Sequence, residues 1–301
     1  MQPVQSLPQR AWGNAYLMLV LTTLMWGGNA VASRLAVGEI SPMALTSMRW
    51  IFVCAVLPYA MRAELRRYWP VLKRHRLQIV LLGTFGFTAF NALMYVAAHS
   101  TTAVNIGILQ GSIPVFVLLG ALLFFGTPIG LLQAIGVAVT ILGVVVTASQ
   151  GSFETLMHLT FVPGDIWMII ACLFYAGYTV GIRNRPPVPG LVFFTTLAMV
   201  ACVISLPLLG YEVATGHFIW PSWKGWLILA YVVIGPSILS QLFFMRAVEL
   251  IGPGRSGVFV NLVPVFAPLL AVLILGEHVA LYHGLALALV LGGIWIAERR
   301  R

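Results

Sequence analysis

Between Leu77 and Phe153 the chain carries no aspartate, glutamate, lysine or arginine, a run of 77 residues. A soluble domain averages about 25% charged residues and has no means of burying such a run. In lipid every backbone polar group must be satisfied internally, so a run of this kind folds as helices. One helix crosses the hydrocarbon core with about 20 residues, which leaves room here for three. Short breaks at His99–Thr102 and Gly126–Pro128 divide the run accordingly. The remainder is similar, with 60% hydrophobic and 8% charged residues over 301 positions.

Cutting at charges, prolines and turn residues gives ten apolar segments, near 13–33, 43–61, 77–98, 103–125, 129–149, 165–183, 190–210, 224–245, 256–275 and 279–297. The N-terminal MQPVQSLPQR leads into a full-length span with no small-residue cleavage site, so no removed signal peptide is expected. Ten spans put both termini on one side, and the basic residues say which. With cytoplasmic termini, the cytoplasmic set is Arg10, Arg62, Arg66, Arg67, Lys73, Arg74, Arg76, Arg183, Arg185, Arg246, Arg255, Arg299, Arg300 and Arg301, which is 14 of 17. Arg34, Arg49 and Lys224 are assigned to the other side. Net charge +9 is thereby explained by topology, with no call for nucleic acid. Cys54, Cys172 and Cys202 lie in apolar runs without metal-ligand spacing and read as inert thiols, so neither metal nor cofactor is expected.

The chain also says one thing twice. Asn105–Phe116 reads NIGILQGSIPVF, and Arg255–Phe266 reads RSGVFVNLVPVF. In both, a proline (Pro114, Pro264) interrupts an apolar run beside amides, where it removes a backbone donor and breaks the helix. Paired interrupted spans are the best sequence pointer to a transporter binding site. For a single proline, packing in lipid would serve as an explanation. Further echoes align Trp26–Arg34 with Tyr175–Arg183, Asn91 with Gln241, Gly126 with Gly276 and Gly143 with Gly293. Each half holds five spans, an odd number, so the second must be inverted. The expected architecture is an all-α membrane protein of ten transmembrane helices. Residues 1–150 and 151–301 form two inverted five-helix repeats around a central cavity.

These residues resemble the drug/metabolite transporter superfamily in its EamA-type branch. The likeness rests on WGGN at Trp26–Asn29, the PVF of spans four and nine, LGE at Leu275–Glu277 and the glycine pair Gly292-Gly293. Within the branch the chain is most similar to YddG-type exporters of aromatic amino acids. The resemblance implies efflux of aromatic and other neutral amino acids, and of flat organic cations, across a bacterial inner membrane. One departure is Thr127-Pro128, which stands where the second half has its Glu277.

All eight acids fall at span ends or in loops. Proton-driven transporters keep an ionisable group within the membrane, so transport is expected to be facilitated or weakly coupled, by alternating access. A zwitterionic ligand would be held by amides, hydroxyls and helix dipoles. The candidates are Trp26, Asn29, Asn91, Tyr95, Asn105, Gln110, Ser112, Tyr175, Tyr178, Gln241, Phe244 and Asn261, with Pro114 and Pro264 as kinks facing each other across the cavity. Gly107 and Gly111 form a GxxxG suited to close packing, and Gly83 with Gly86, and Gly235-Pro236, are candidate flex points. Trp12, Trp69, Trp220, Trp223 and Trp295 read as interface-belt residues. The alternative is a proton-driven exporter of other metabolites or drugs. For an intramembrane enzyme no DxxD, HExxH or GxSxG occurs, and a passive channel would share the polar-lined centre but show neither saturation nor alternating access. The expected partners are a small-molecule substrate and membrane lipid, with the chain acting as a monomer.

Overall fold

The computed structural model describes residues 13–158 and 161–298, and every long element is helical. Arg10, Trp12 and Arg299–Arg301 lie outside the described residues. Nine helices among those described are long and apolar enough to cross a membrane. They are α1 (Ala15–Leu35), α2 (Pro42–Ala60), α3 (Arg76–Ala97), α4 (Ala103–Phe125), α5 (Leu131–Ala148), α6 (Pro163–Asn184), α7 (Gly190–Ala214), α8 (Trp223–Ile251) and α9 (Arg255–Leu275). A shorter apolar helix, α10 (Leu281–Ala297), follows. Their outer faces remain apolar: Leu123, Phe124, Leu131, Leu273 and Leu281 are all exposed. With lipid as solvent such faces need no further cover.

The basic stretch after α2 is itself a helix, Arg62–Arg74, with only Leu72 buried. Its Arg and Lys face and its apolar Trp69 and Tyr68 suit a helix lying at the membrane interface. Arg49 departs from the sequence expectation most sharply. Counted with the charges of the far side, it lies well inside α2, 5% exposed.

Irregularities recur in both halves. α3 contains a π-helical turn at Thr84–Ala89, and α8 contains one at Val233–Leu239. They fall on the two glycine-marked positions, Gly86 and Gly235-Pro236. Span α4 is broken after Gln110 by a turn at Gly111-Ser112 and restarts at Ile113, with Pro114 in its first turn. Span α9 tightens to a 3-10 turn at Phe259–Leu262 and restarts at Val263, with Pro264 in its first turn. A first-turn proline loses no hydrogen bond, since its missing N–H would be unpaired there anyway. The PVF prolines therefore begin half-helices instead of kinking continuous ones. Both spans end on a left-handed glycine, Gly126 at φ 61° and Gly276 at φ 64°, a conformation in which a Cβ is strained.

α5 and α10 pack along each other through glycines. A Cβ on Gly293 would meet the Gly136 carbonyl oxygen at 2.6 Å and the Thr140 nitrogen at 2.7 Å. Small residues let backbones approach this closely, which is how helices gain contact without a hydrophobic drive.

Candidate functional site

The broken spans and π turns converge on one cavity at the centre of the bundle. Its wall includes Trp26 and Asn29 (α1), Arg49 and Trp50 (α2), Asn91 (α3), Gln110 and Pro114 (α4), Tyr175 (α6), Ser237 and Gln241 (α8), and Asn261 and Pro264 (α9). The empty volume is about 890 Å³, open mouth included. Both PVF prolines thus line the same space. No Asp, Glu or His is among its lining residues.

The WGGN stretch has a physical role at each position. The Trp26 indole N–H donates to the Pro236 carbonyl at 3.2 Å, a group of the α8 π turn. A Cβ on Gly27 would stand 2.9 Å from the Ala267 nitrogen of α9, and one on Gly28 would overlap the Tyr231 hydroxyl. Only glycines allow α1 to seat there. Asn29 accepts from the Tyr95 hydroxyl at 3.4 Å.

Arg49 ties the two halves together. Its Nε donates to Ser237 Oγ at 2.7 Å, and its Nη1 donates to Asn91 Oδ1 at 2.5 Å and to the Tyr95 hydroxyl oxygen at 2.9 Å. Asn91 Nδ2 donates to the Phe87 carbonyl at 2.6 Å, within the π turn of α3, which orients the amide oxygen toward the arginine. Arg49, counted from the sequence with the far-side charges and not among the candidate site residues, thus belongs to the cavity lining. A cation stands in the wall. Aromatic rings line the same cavity or back it: Trp50 stacks on Phe87 at 5.1 Å, Phe90 and Tyr175 lie 4.8 Å apart, and Tyr175 and Tyr178 lie 5.3 Å apart.

Of the sequence candidates, Trp26, Asn29, Asn91, Gln110, Tyr175, Gln241 and Asn261 line the cavity. Tyr178 and Phe244 line a second chamber, which shares Trp26, Pro114, Tyr175, Gln241 and Asn261 with the first. Three candidates lie behind the wall. Tyr95, 2% exposed, turns its hydroxyl to Arg49 and Asn29. Asn105 is taken up by Thr101 and Asp165, and Ser112 donates to Leu109 O at 2.7 Å across the break in α4.

Carboxylates tie the bundle together at one end, and each tie joins a residue before 150 to one after it. Glu212 accepts from Ser41 Oγ at 2.6 Å and from the Met43 and Ala44 amides, at the start of α2. Glu277 accepts from the Ala103 and Val104 amides, both at 2.9 Å, at the start of α4. Asp165 accepts from Thr101 and from Asn105 Nδ2. Glu39 accepts from Ser222 and lies 3.8 Å from Lys224 Nζ. An anion at a helix N-terminus satisfies orphan N–H groups and complements the macrodipole. Arg34 donates to the Ala98 carbonyl at 2.6 Å, in the connection between α3 and α4. His99, in the same connection, is held below the ordinary histidine value, chiefly by burial and then by Arg34. Toward the opposite end the second chamber runs past Tyr178 and Ile182 of α6 and Gly257 of α9.

These features define a multi-pass membrane transporter: among the described residues, nine helices long and apolar enough to cross a membrane and a shorter apolar tenth, with interrupted spans in pairs around a cavity lined by amides, an arginine and aromatic rings. The EamA-like transporter family model matches the chain twice, over residues 13–149 and 162–298. The chain belongs to that family and carries two of its repeats. It is 22% identical to the uncharacterized transporter YyaM of Bacillus subtilis strain 168, over 95% of this chain and 93% of that one. YetK of the same organism, also named an uncharacterized transporter, is 25% identical over 94% and 86% of the respective chains. The uncharacterized inner membrane transporter YedA of Escherichia coli K12 is 23% identical over 89% and 85%. A solved crystal structure superposes with a TM-score of 0.63 at 21% identity, covering 94% of this chain and 96% of that one. That likeness bears on the fold alone.

Proposed function

We infer that the protein exports amino acids, aromatic ones among them, across a bacterial inner membrane by alternating access. The observation that carries this reading is the cavity itself. It is built from interrupted spans of both repeats, tied at one end by contacts between them and continuous with a chamber at the other. In this reading residues 1–150 and 151–301 are inverted repeats, and both termini are cytoplasmic. The chamber then opens inward, since it runs toward the end bearing Arg183, Arg185, Arg246 and Arg255. Export proceeds as the two repeats rock, with the π turns of α3 and α8 as flexing points and the carboxylate layer opening. The aromatic wall suits flat side chains, which stack at roughly 0.5–1.5 kcal/mol per ring pair.

Energy coupling in this reading is weak. No Asp, Glu or His is among the lining residues of the cavity, and substrate runs down its own gradient. An inner membrane location is in keeping with the printed name of the Escherichia coli relative. Counterflow of radiolabelled phenylalanine into proteoliposomes, without a pH or ion gradient, tests the reading. Saturable exchange is expected. A strict requirement for an imposed proton gradient would favour a proton-driven metabolite exporter instead.

A further inference from the structure

Arg49 is the group in the cavity that amides and rings do not account for. It lies eight residues into α2, and every acceptor it meets is neutral: the Ser237 hydroxyl, the Asn91 amide oxygen and the Tyr95 hydroxyl. These occupy Nε and Nη1, and no hydrogen bond from Nη2 to a described residue is found. No carboxylate among the described residues pairs with it; the ion pairs found there are Lys224–Glu39 and Arg246–Glu249. The adjacent Trp50, in the same wall and 2% exposed, has its indole N–H buried without an acceptor. The guanidinium carbon lies 5.0 Å from the centroid of that indole ring.

A buried charge is ordinarily paired or neutralised, because transfer from water costs more than neutral hydrogen bonds return. A guanidinium cannot discharge by losing its proton. Its positive charge and the two idle donors therefore call for an occupant rich in acceptors and negatively charged. A carboxylate meets that need: it accepts at both oxygens, and its bonds to guanidinium are charge-assisted. Resting on the exporter reading above, we propose that the cavity selects its substrates by a carboxylate, which accepts from Arg49 Nη2 and from the Trp50 indole. The body of the substrate then lies against Phe87, Phe90 and Tyr175. Flat organic cations, which the family resemblance also implied, meet a like charge and are excluded.

The test uses the full chain in proteoliposomes, with phenylalanine counterflow as readout. Phenylalanine, 3-phenylpropionate (carboxylate without amine), phenethylamine and phenylalaninamide serve as competitors. The carboxylate should compete within about tenfold of phenylalanine, and the amine and amide roughly 10- to 100-fold more weakly, the range of one charge-assisted hydrogen bond. Arg49→Gln should raise the half-saturation concentration for both carboxylates by about the same factor. Asn91→Asp keeps the arginine but puts a tethered carboxylate where Asn91 Oδ1 stands, 2.5 Å from Nη1. It should weaken the same two ligands and decides the matter if Arg49→Gln does not fold. Equal competition by amine and amide would overturn the proposal. So would variants that slow transport while leaving half-saturation unchanged, the pattern of a purely structural arginine. If the wild type moves no amino acid at all, the exporter reading falls too. If it moves amino acids without preferring carboxylates, only this inference does.

Discussion

Gly107→Ala probes how tightly the two interrupted spans must meet. A Cβ built on Gly107 would lie 2.5 Å from the Ala267 Cβ and 2.8 Å from Pro268 Cδ, both on α9. Ordinary carbon contacts are about 3.5–4.0 Å, so α4 and α9 would have to part by about 1 Å. Neither neighbour can turn aside, since alanine has no side-chain torsion and the proline ring is closed. Overpacking of this kind costs about 1–3 kcal/mol. Helix propensity favours alanine over glycine by about 1 kcal/mol and offsets part of that. The expected net loss is about 0–2 kcal/mol, centred near 1, a fall in Tm of roughly 2–4 °C. Thermal unfolding in detergent, followed by a thiol dye reaching the fully buried Cys172, reads it out. The decisive control is Gly107→Ala with Ala267→Gly, which deletes the nearest clashing atom. The double variant should recover more than the two single effects summed would allow. An unchanged or raised Tm for Gly107→Ala, or strict additivity of the pair, would refute the reasoning.

Gly293→Ala should be worse than Gly107→Ala, because the added carbon meets the backbone of α5 at 2.6 and 2.7 Å; a smaller Tm loss would show that the α5–α10 contact yields easily. Glu277→Gln removes the charge that faces the first amides of α4, a contribution of about 0.3–2 kcal/mol. Hydrogen exchange at Ala103 and Val104 should accelerate several-fold, and unchanged protection would remove the carboxylate from the closing layer. Tyr178→Leu should raise the half-saturation concentration for aromatic amino acids by about 2- to 10-fold while sparing leucine. Wild-type values for both would drop the ring as a selector.

Much of this architecture is written in local sequence. Helix-breaking residues at fixed offsets mark Pro114 and Pro264 and the glycines capping both interrupted spans. Gly86 and Gly235-Pro236 mark the π turns. These features are backbone chemistry, and backbone chemistry is legible residue by residue. Side-chain partnership is less so. Asn105 stands one turn from the helix start in a run of apolar neighbours and reads as a ligand, yet Asp165, 60 positions away, claims its amide. Tyr95 likewise has the right type and depth but faces Arg49.

Arg49 escaped for a different reason. The repeat offsets of 149 and 150 place Ala198 and Met199 opposite it, so a search for echoed polar groups passes it by. Its signal was its position, a cation seven residues inside the apolar segment that begins near 43. An ionisable residue so placed marks function by default. Apart from Glu277, which stands in the LGE stretch, the carboxylate layer had no local signature. Glu39, Asp165, Glu212 and Glu277 each sit at a span end as an ordinary boundary charge would. Only the docking of one half on the other turns them into caps and ties.

The central claim is that a single cavity between the two repeats is reached from either side of the membrane in turn. Gln241, which lines both chambers, is the place to test it. With Cys54, Cys172 and Cys202 replaced by serine, Gln241→Cys is treated with a membrane-impermeant thiol reagent from one face or the other of oriented vesicles. Labelling from both faces, slowed by phenylalanine, is the expected result. Labelling confined to one face whatever the substrate, or absent from both, would contradict it.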